Sequence, residues 1–246
     1  MNNYEFCAQW VRDQYRGNAL RVLDYGCGAG EIVGLLRKQE VNAFGCDVFY
    51  QGGDLSTRIP PGLFDGIIRR MEGNAIPFES DYFDFVINNY VMEHVEHLDS
   101  ALGEISRVLK PGGVVLSLFP YKKVWREGHS GIPLLHWFPK GNRARVYYAA
   151  AWRALGFGRH KNNKSVLRWS LDFCDWLDTW TYYRTQQEIE AAYGTCFCEI
   201  QHIEDYWLQQ RLGALKAAAA WLPSPLQRLV VRKLSGLVFI ASKPKG

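Results

Sequence analysis

The segment Val22-Leu23-Asp24-Tyr25-Gly26-Cys27-Gly28-Ala29-Gly30-Glu31 ends a short apolar run in an acid and follows it with three glycines at alternate positions. That order predicts a strand, a tight turn and the first turn of a helix. Glycines let such a turn take unusual backbone angles and let a ligand approach the main chain, and a helix N-terminus offers unpaired N–H groups. A dinucleotide fingerprint would carry glycine where Glu31 stands, because its third glycine permits close helix–strand packing. An acid there also opposes a pyrophosphate. Asp24 suits a ligand with an ammonium group, so the motif points to S-adenosylmethionine rather than to a nicotinamide dinucleotide. Asp47 closes a second apolar run, Val41-Asn42-Ala43-Phe44-Gly45-Cys46-Asp47, 19 residues after Gly28. A doubly wound fold puts its ribose-binding carboxylate about there. A helix N-cap or turn Asp is the plain structural reading of the same residue.

A proton acceptor is the other chemistry to look for. His129 stands in a glycine-flanked, proline-containing loop soon after the apolar run that ends at Phe119. An imidazole with a pKa near neutrality can take the proton of a hydroxyl as it attacks a methyl group. Glu127 is placed to orient that imidazole or to contact the acceptor. His94, within Met92-Glu93-His94-Val95-Glu96-His97, is the rival base. Either histidine has a bland alternative, a hydrogen bond to nearby backbone. The Glu-His run raises the question of a metal, but adjacent residues do not share a helix face, so no metal is expected.

Three further segments complete a pattern: Met71-Glu72-Gly73-Asn74-Ala75-Ile76-Pro77-Phe78, then Tyr82-Phe83-Asp84-Phe85-Val86-Ile87-Asn88-Asn89, then Val108-Leu109-Lys110-Pro111-Gly112-Gly113 leading into Val114–Phe119. Over residues 20–120 the chain resembles the class I S-adenosylmethionine-dependent methyltransferases, in the branch with many quinone-biosynthesis and small-metabolite enzymes. The resemblance implies that Asp24 and the turn of Gly26, Cys27, Gly28 and Gly30 hold the methionine part and that Asp47 holds the ribose. It implies that Glu72 and Gly73 meet the adenine edge, although the family more often has Asp in place of Glu72. It also implies that Asn88 and Asn89 lie beside the sulfonium. The Asn-Pro-Pro-Tyr type of motif that accompanies amide or nucleobase nitrogen methylation is replaced by Asn88-Asn89-Tyr90-Val91. That favours an oxygen or carbon acceptor.

The elements that must position these residues alternate between strand and helix patterns. A helix is predicted over 4–16, with Phe6, Trp10 and Val11 on one face, and another over 31–39. Residues 50–64, rich in Gly and Pro, read as an irregular connection. A strand over 83–88 precedes a helix over 98–109 that Pro111-Gly112 ends, and a strand over 114–119 follows. Thr185-Gln186-Gln187-Glu188 reads as a capping box opening a helix to Tyr193. Residues 196–207 and 237–243 read as two last strands, an antiparallel pair. The expected fold is α/β, a doubly wound, seven-stranded, mostly parallel sheet of Rossmann-like methyltransferase type. It is expected as one domain over 1–246 with a helical insertion after the fifth strand.

A net charge of +4 hides an asymmetry. Residues 120–184 carry twelve Lys or Arg against four acids, and fourteen aromatics; residues 208–234 carry five Lys or Arg and no acid. Ligands of such sheets bind outside the carboxyl ends of the strands, so 120–184 is expected to bind the acceptor. Arginines favour phosphate or carboxylate, and aromatic faces stack on sugars or cations. Trp152, Trp169, Phe173, Trp176 and Trp180 recur at helical intervals and read as packing residues. Residues 208–234 read as a basic amphipathic insertion, with Leu226, Leu229, Val230 and Leu234 on one face, suited to an anionic membrane surface or to packing on the sheet. The six cysteines form no Cys-x-x-Cys pair, and Cys196 and Cys198 are expected to alternate on a strand as buried thiols. With no basic-then-apolar leader pattern, the expectation is a reduced, cytoplasmic protein, peripheral at the inner membrane face at most. The function expected is S-adenosylmethionine-dependent O-methylation of a small-molecule or lipid-linked glycan acceptor. An RNA methyltransferase and a non-catalytic S-adenosylmethionine-binding scaffold are the alternatives, with nucleic acid the less favoured partner.

Overall fold

The apolar runs on either side of the glycine turn become neighbouring parallel strands. The computed structural model describes residues 1–14, 20–64, 66–212 and 221–245. In it β1 (Arg21–Tyr25) lies between β2 (Asn42–Asp47) and β4 (Phe83–Asn89), and β3 (Ile68–Arg70) flanks β2. Next to β4 runs β5 (Leu109–Phe119), parallel to it. The sheet closes with β7 (Leu237–Ser242) and β6 (Glu199–His202), β7 antiparallel to both β5 and β6. The order β3-β2-β1-β4-β5-β7-β6 is the expected doubly wound, mostly parallel sheet of seven strands.

Alternation along each strand feeds two cores. Leu23, Val86 and Val115 face α3 (Leu98–Val108) and α6 (Gln186–Gly194). Val22, Ile87 and Leu116 face α1 (Asn3–Gln14), α2 (Glu31–Arg37) and α7 (Glu204–Leu212). Such continuous apolar strands are what a sheet covered on both faces requires. The predicted capping box is present: Thr185 accepts from Glu188 N–H, and the Glu188 side chain accepts from Thr185 N–H.

After β5 the chain builds α4 (Arg143–Ala154) and α5 (Val166–Trp180), joined through a small core of Ile132, Leu135, Ala149, Trp169, Cys174 and Leu177. The last helix, α8 (Ser224–Leu234), packs beside α7.

Three expectations need correction. First, the strand read as 114–119 begins at Leu109 and takes in Pro111-Gly112, with a register irregularity where it meets Phe83 and Phe85. Leu109 pairs with Phe83 and Val114 with Phe85, so residues 110–113 bulge within the strand with Gly112 at φ +74°, and the chain past β7 ties the bulge down, Gly112 N–H donating to Pro244 O and Lys243 N–H to Gly113 O. Second, the strand read as 196–207 is only Glu199–His202, and α7 starts at Glu204. Cys196 is half-buried and Cys198 exposed, both before the strand, so neither is a buried strand thiol. Third, the charge of 208–234 is less free than its composition suggests. Arg228 Nε lies 3.1 Å from Asp205 Oδ1 and Arg232 Nε 2.8 Å from Glu204 Oε1, acids just ahead of that segment. The predicted helix residues Tyr15 and Arg16, and residues 213–220 of the basic amphipathic insertion, lie outside the described residues.

His202 ties the sheet edge to these helices. Its Nε2 is 2.8 Å from Glu190 Oε1 on α6 and its Nδ1 3.1 Å from Glu204 Oε1 on α7. Burial works to lower its pKa, but the hydrogen bonds and charges of Glu204 and Glu190 outweigh burial and raise it. A raised folded-state pKa gives stability that is complete below the ordinary histidine value and lost as pH rises through the raised one. The thermal midpoint of the wild type should therefore exceed that of His202→Gln by more at pH 6 than at pH 9. Equal gaps at the two values, measured by circular dichroism, would rule the clamp out.

Candidate functional site

The carboxyl ends of β1, β2 and β4 open onto a cavity of about 390 Å³, within the size range of small-molecule sites. One wall is the glycine turn. Gly26 and Cys27 N–H both donate to Cys46 O, at 2.8 and 3.1 Å. Gly28 N–H donates to Asp47 Oδ2 at 2.9 Å, and Phe49 N–H to Asp47 Oδ1 at 2.7 Å. Gly26 has φ +73°, and a Cβ there would overlap the Val91 side chain. Gly28 and Asp47 line the cavity, whereas Cys27 is buried and Gly30 caps α2 in the left-handed region. Asp24 lies buried on β1 beside this wall. Burial, then the charges of Asp47 and Glu31, push its carboxyl well above the usual range. Burial also raises Asp47, against the two N–H bonds that lower it.

The strand-end residues fall differently from the expectation. Alternation sends Asn88 and Asn89 to opposite faces. Asn88 Nδ2 donates to Ser117 Oγ at 2.9 Å inside one core, while Asn89 Oδ1 accepts from Asn3 Nδ2 at 3.3 Å on the other side. The cavity is lined instead by Tyr90 and Val91, Tyr90 at φ +60° turning the chain across the strand end. On the turn after β3, Met71 and Asn74 line the cavity; Glu72 and Gly73 are exposed and do not. Tyr50 and Leu55 from the Gly-Pro-rich connection complete that wall. The left-handed glycines and Asp47 signal their wall in the sequence. Tyr50, Tyr90 and Asn74 carry no comparable signal.

The opposite wall comes from the insertion: Thr179, Trp180 and Tyr182, together with His94. Trp180 is therefore a site residue and not only packing; its ring stands 5.0 Å from that of Tyr50. Trp176 likewise lies 5.0 Å from the His129 ring.

The structure brings both candidate bases together. His94 Nδ1 is 2.7 Å from Trp180 O. A carbonyl only accepts, so Nδ1 carries the hydrogen and Nε2 the lone pair. His129 Nδ1 is 2.8 Å from Glu127 Oε1 and donates to it by the same reasoning. The two Nε2 atoms face one another at 3.2 Å. Burial, then the His129 charge, push His94 down to about 4. Burial works to lower His129 too, but the Glu127 hydrogen bond and charge win and raise it. Glu127 is buried and would be raised by that burial. Bonds from His129 and Ser130 hold it down to about 2 instead, and Tyr183 Oη donates to it at 2.8 Å. Glu93, on the single 3₁₀ turn Met92–His94, is buried with both carboxylate oxygens unpartnered, and burial raises it to about 8. Glu93, His94 and His129 offer ligand atoms all within 4.8 Å of one another. The helix-face argument against a metal does not hold for a 3₁₀ turn facing a separate loop. Beyond His129 a second cavity is lined by Tyr90, Arg126, Arg159 and Leu234.

Residues 23–117 match the family model described as a methyltransferase domain. A demethylmenaquinone methyltransferase of Symbiobacterium thermophilum is 31% identical over 145 residues, 51% of this chain and 56% of that one. A ubiquinone/menaquinone biosynthesis C-methyltransferase of Cupriavidus metallidurans is 42% identical over 55 residues, 22% of each chain. The chain spans about half the length of these curated relatives, or less. An S-adenosylmethionine-dependent methyltransferase from Mesorhizobium loti superposes with a TM-score of 0.54 at 16% identity, covering 98% of this chain and 100% of that one. Another from Archaeoglobus fulgidus gives 0.53 at 15% identity, covering 98% and 95%. These two structures share the Rossmann-like methyltransferase fold. The family resemblance read from the motifs is met, and residues 23–117 are a class I methyltransferase domain.

The glycine wall makes a direct prediction. Gly26→Ala should cost roughly 1–3 kcal/mol, the cost of a side chain held in the left-handed region, plus the clash with Val91. In the double variant Gly26→Ala/Val91→Ala the losses should sum to less than the two single losses. Urea unfolding curves of the four proteins measure this, and strict additivity would show that the contact does not govern the turn.

Proposed function

We propose that this methyltransferase domain transfers the methyl group of S-adenosylmethionine to an oxygen of a small or lipid-linked acceptor held beneath residues 120–184. The observation that carries the reading is one cavity whose walls are Gly28 and Asp47 on one side and His94, Trp180 and Tyr182 on the other. When bound, the sulfonium cofactor supplies an activated methyl group. Asp47 keeps an unused lone pair on each oxygen beyond its bonds to Gly28 and Phe49, which suits two ribose hydroxyls. Asp24, buried with every nearby influence raising its pKa, suits an ammonium group. Tyr50, Tyr90 and Trp180 offer aromatic faces to a cationic sulfur. Glu72, Gly73, Asn88 and Asn89 are then one layer removed, shaping the turn and the strand end.

The chain's part in the transfer is alignment, exclusion of water and care of one proton. A hydroxyl must lose its proton as it attacks, and its deprotonation depends on His129, with Glu127 holding the imidazole and balancing its charge. His94 is the neighbouring partner. Arg126 and Arg159, on the second cavity next to His129, favour an acceptor that carries phosphate or carboxylate. Leu234 closes that cavity and continues into the exposed face of α8, with Leu226, Leu229 and Val230. That continuity supports an acceptor offered from a membrane surface, with the protein peripheral to it. No helix of the described residues is long and apolar enough to cross a membrane. Pairing of Arg228 and Arg232 with Asp205 and Glu204 weakens the case for RNA, and a cavity with both walls in place gives no support to a non-catalytic scaffold. The names of the relatives favour a second reading, methylation of a ring carbon of a quinone-type acceptor. Removal of a phenolic proton at His129 would serve that reaction as well.

Calorimetry should show binding of S-adenosylmethionine and S-adenosylhomocysteine. Asp47→Ala or Gly28→Val should weaken it tenfold or more, about 1.4 kcal/mol; unchanged affinity in both variants removes the cofactor assignment. For chemistry, His129→Ala should lower kcat by ~10²–10⁴ and leave cofactor affinity nearly unchanged. A merely structural His129 would instead lower the melting temperature and weaken both ligands together. Mass spectrometry of product labelled from S-adenosylmethionine decides between oxygen and carbon.

A further inference from the structure

The facing Nε2 atoms of His94 and His129 cannot both present lone pairs to one another. Both Nδ1 atoms are committed as donors, to Trp180 O and to Glu127 Oε1. Two neutral imidazoles would therefore set lone pair against lone pair at 3.2 Å. A proton on His129 Nε2 or a metal ion belongs between them. Beside them Glu93 presents a carboxylate that is 1% exposed with neither oxygen hydrogen-bonded. A buried carboxylate without a partner is costly, and this one lies within 4.8 Å of both imidazole nitrogens.

We propose that Glu93, His94 and His129 bind a divalent transition-metal ion of the zinc class. Four ligands held tetrahedrally at about 2.0–2.1 Å from zinc stand about 3.3 Å apart, which the two nitrogens already match. The shell behind them has the form such sites use: one imidazole backed by a carboxylate, Glu127, the other by a backbone carbonyl, Trp180. Three protein ligands leave a fourth position open, as in catalytic rather than structural zinc sites. His94 lines the first cavity and His129 the second, so the ion stands where they meet. An acceptor hydroxyl would take the open position, where the ion would lower its pKa so that its proton passes to water as the oxygen attacks the methyl group. That last role rests on the acceptor reading above; the binding of the ion does not. In the loaded protein His129 is a ligand, so a requirement for His129 in turnover follows from either state.

The test uses the full chain stripped with a chelator and titrated with Zn²⁺ against a chromophoric competitor, then with Co²⁺ to read visible d–d absorption. One equivalent per chain is expected, with d–d bands and without the near-ultraviolet charge-transfer band of a cobalt thiolate. His94→Ala and His129→Ala should each weaken binding at least tenfold, and Glu127→Gln, which keeps all three ligands, by about 10- to 100-fold. Glu93→Gln removes a ligand without changing shape and guards against loss of fold. Absence of a tight equivalent, a thiolate band, or equal binding by His94→Ala/His129→Ala would overturn the site. S-adenosylmethionine affinity measured in the same stripped protein is expected to persist, so failure of the metal site and failure of the cofactor reading stay distinguishable.

Discussion

The hydrogen bond from Gly28 N–H to Asp47 Oδ2 is the constraint on which the cofactor-side wall depends. It joins the turn after β1 to the end of β2 across the strand pairing Asp24–Gly45 and Tyr25–Cys46. Gly26 and Cys27 tie in at Cys46 O. The turn is thus held by three backbone N–H groups and leaves its outer surface clear. A side chain in place of the glycines would fill the space or demand a different backbone. Because the parallel strands β1, β2 and β4 end together, the turns that follow them, with Gly28, Val48 and Tyr90, line one cavity.

The insertion is fastened to that edge by backbone, not by its own small core alone. Tyr182 N–H donates to Glu93 O at 2.6 Å and Lys122 N–H to Arg184 O at 2.8 Å. Arg184 reaches the carbonyls of Val95 and Glu96 at 2.8 and 2.6 Å. With the Trp180 carbonyl on His94, these bonds hold the end of α5 and the following strand-like segment over the turn after β4. The aromatic residues divide accordingly. Trp169 packs inside the insertion, while Trp176 and Trp180 at the far end of the same helix reach the histidines and Tyr50.

Electrostatics then separate two neighbouring sets of buried groups. Glu127 receives His129, Ser130 and Tyr183, so its charge is satisfied and it sustains a charged or metal-bound imidazole. Glu93, a few residues away in space, receives nothing. One buried carboxylate is thus satisfied within the chain, and the other, across the histidine pair, is left to a proton or a cation. The α7–α8 arginines show the opposite arrangement, cations cancelled by acids from the adjoining helix.

The sequence by itself determined what local pattern and fixed spacing encode. The glycine turn, Asp47 at the end of the second strand, the capping box at Thr185 and the order of strand and helix were all legible, because each depends on residues close in the chain. Tertiary structure decided the rest. The beginning of β5 at Leu109 depends on its pairing with Phe83 of β4, across a bulge that the chain beyond β7 ties down. Asn88 turns into a core and Asn89 toward Asn3 on the opposite face because alternation, set by the sheet, assigns them there. Tyr90, Tyr50 and Trp180 meet only because three connections converge on one sheet edge. His94 and His129, 35 residues apart in sequence, face each other at 3.2 Å, and no spacing rule relates a 3₁₀ turn to a loop on a separate insertion. Local backbone chemistry is written in the order of residues, whereas the meeting of side chains across the fold depends on where the packed sheet and its insertion bring them.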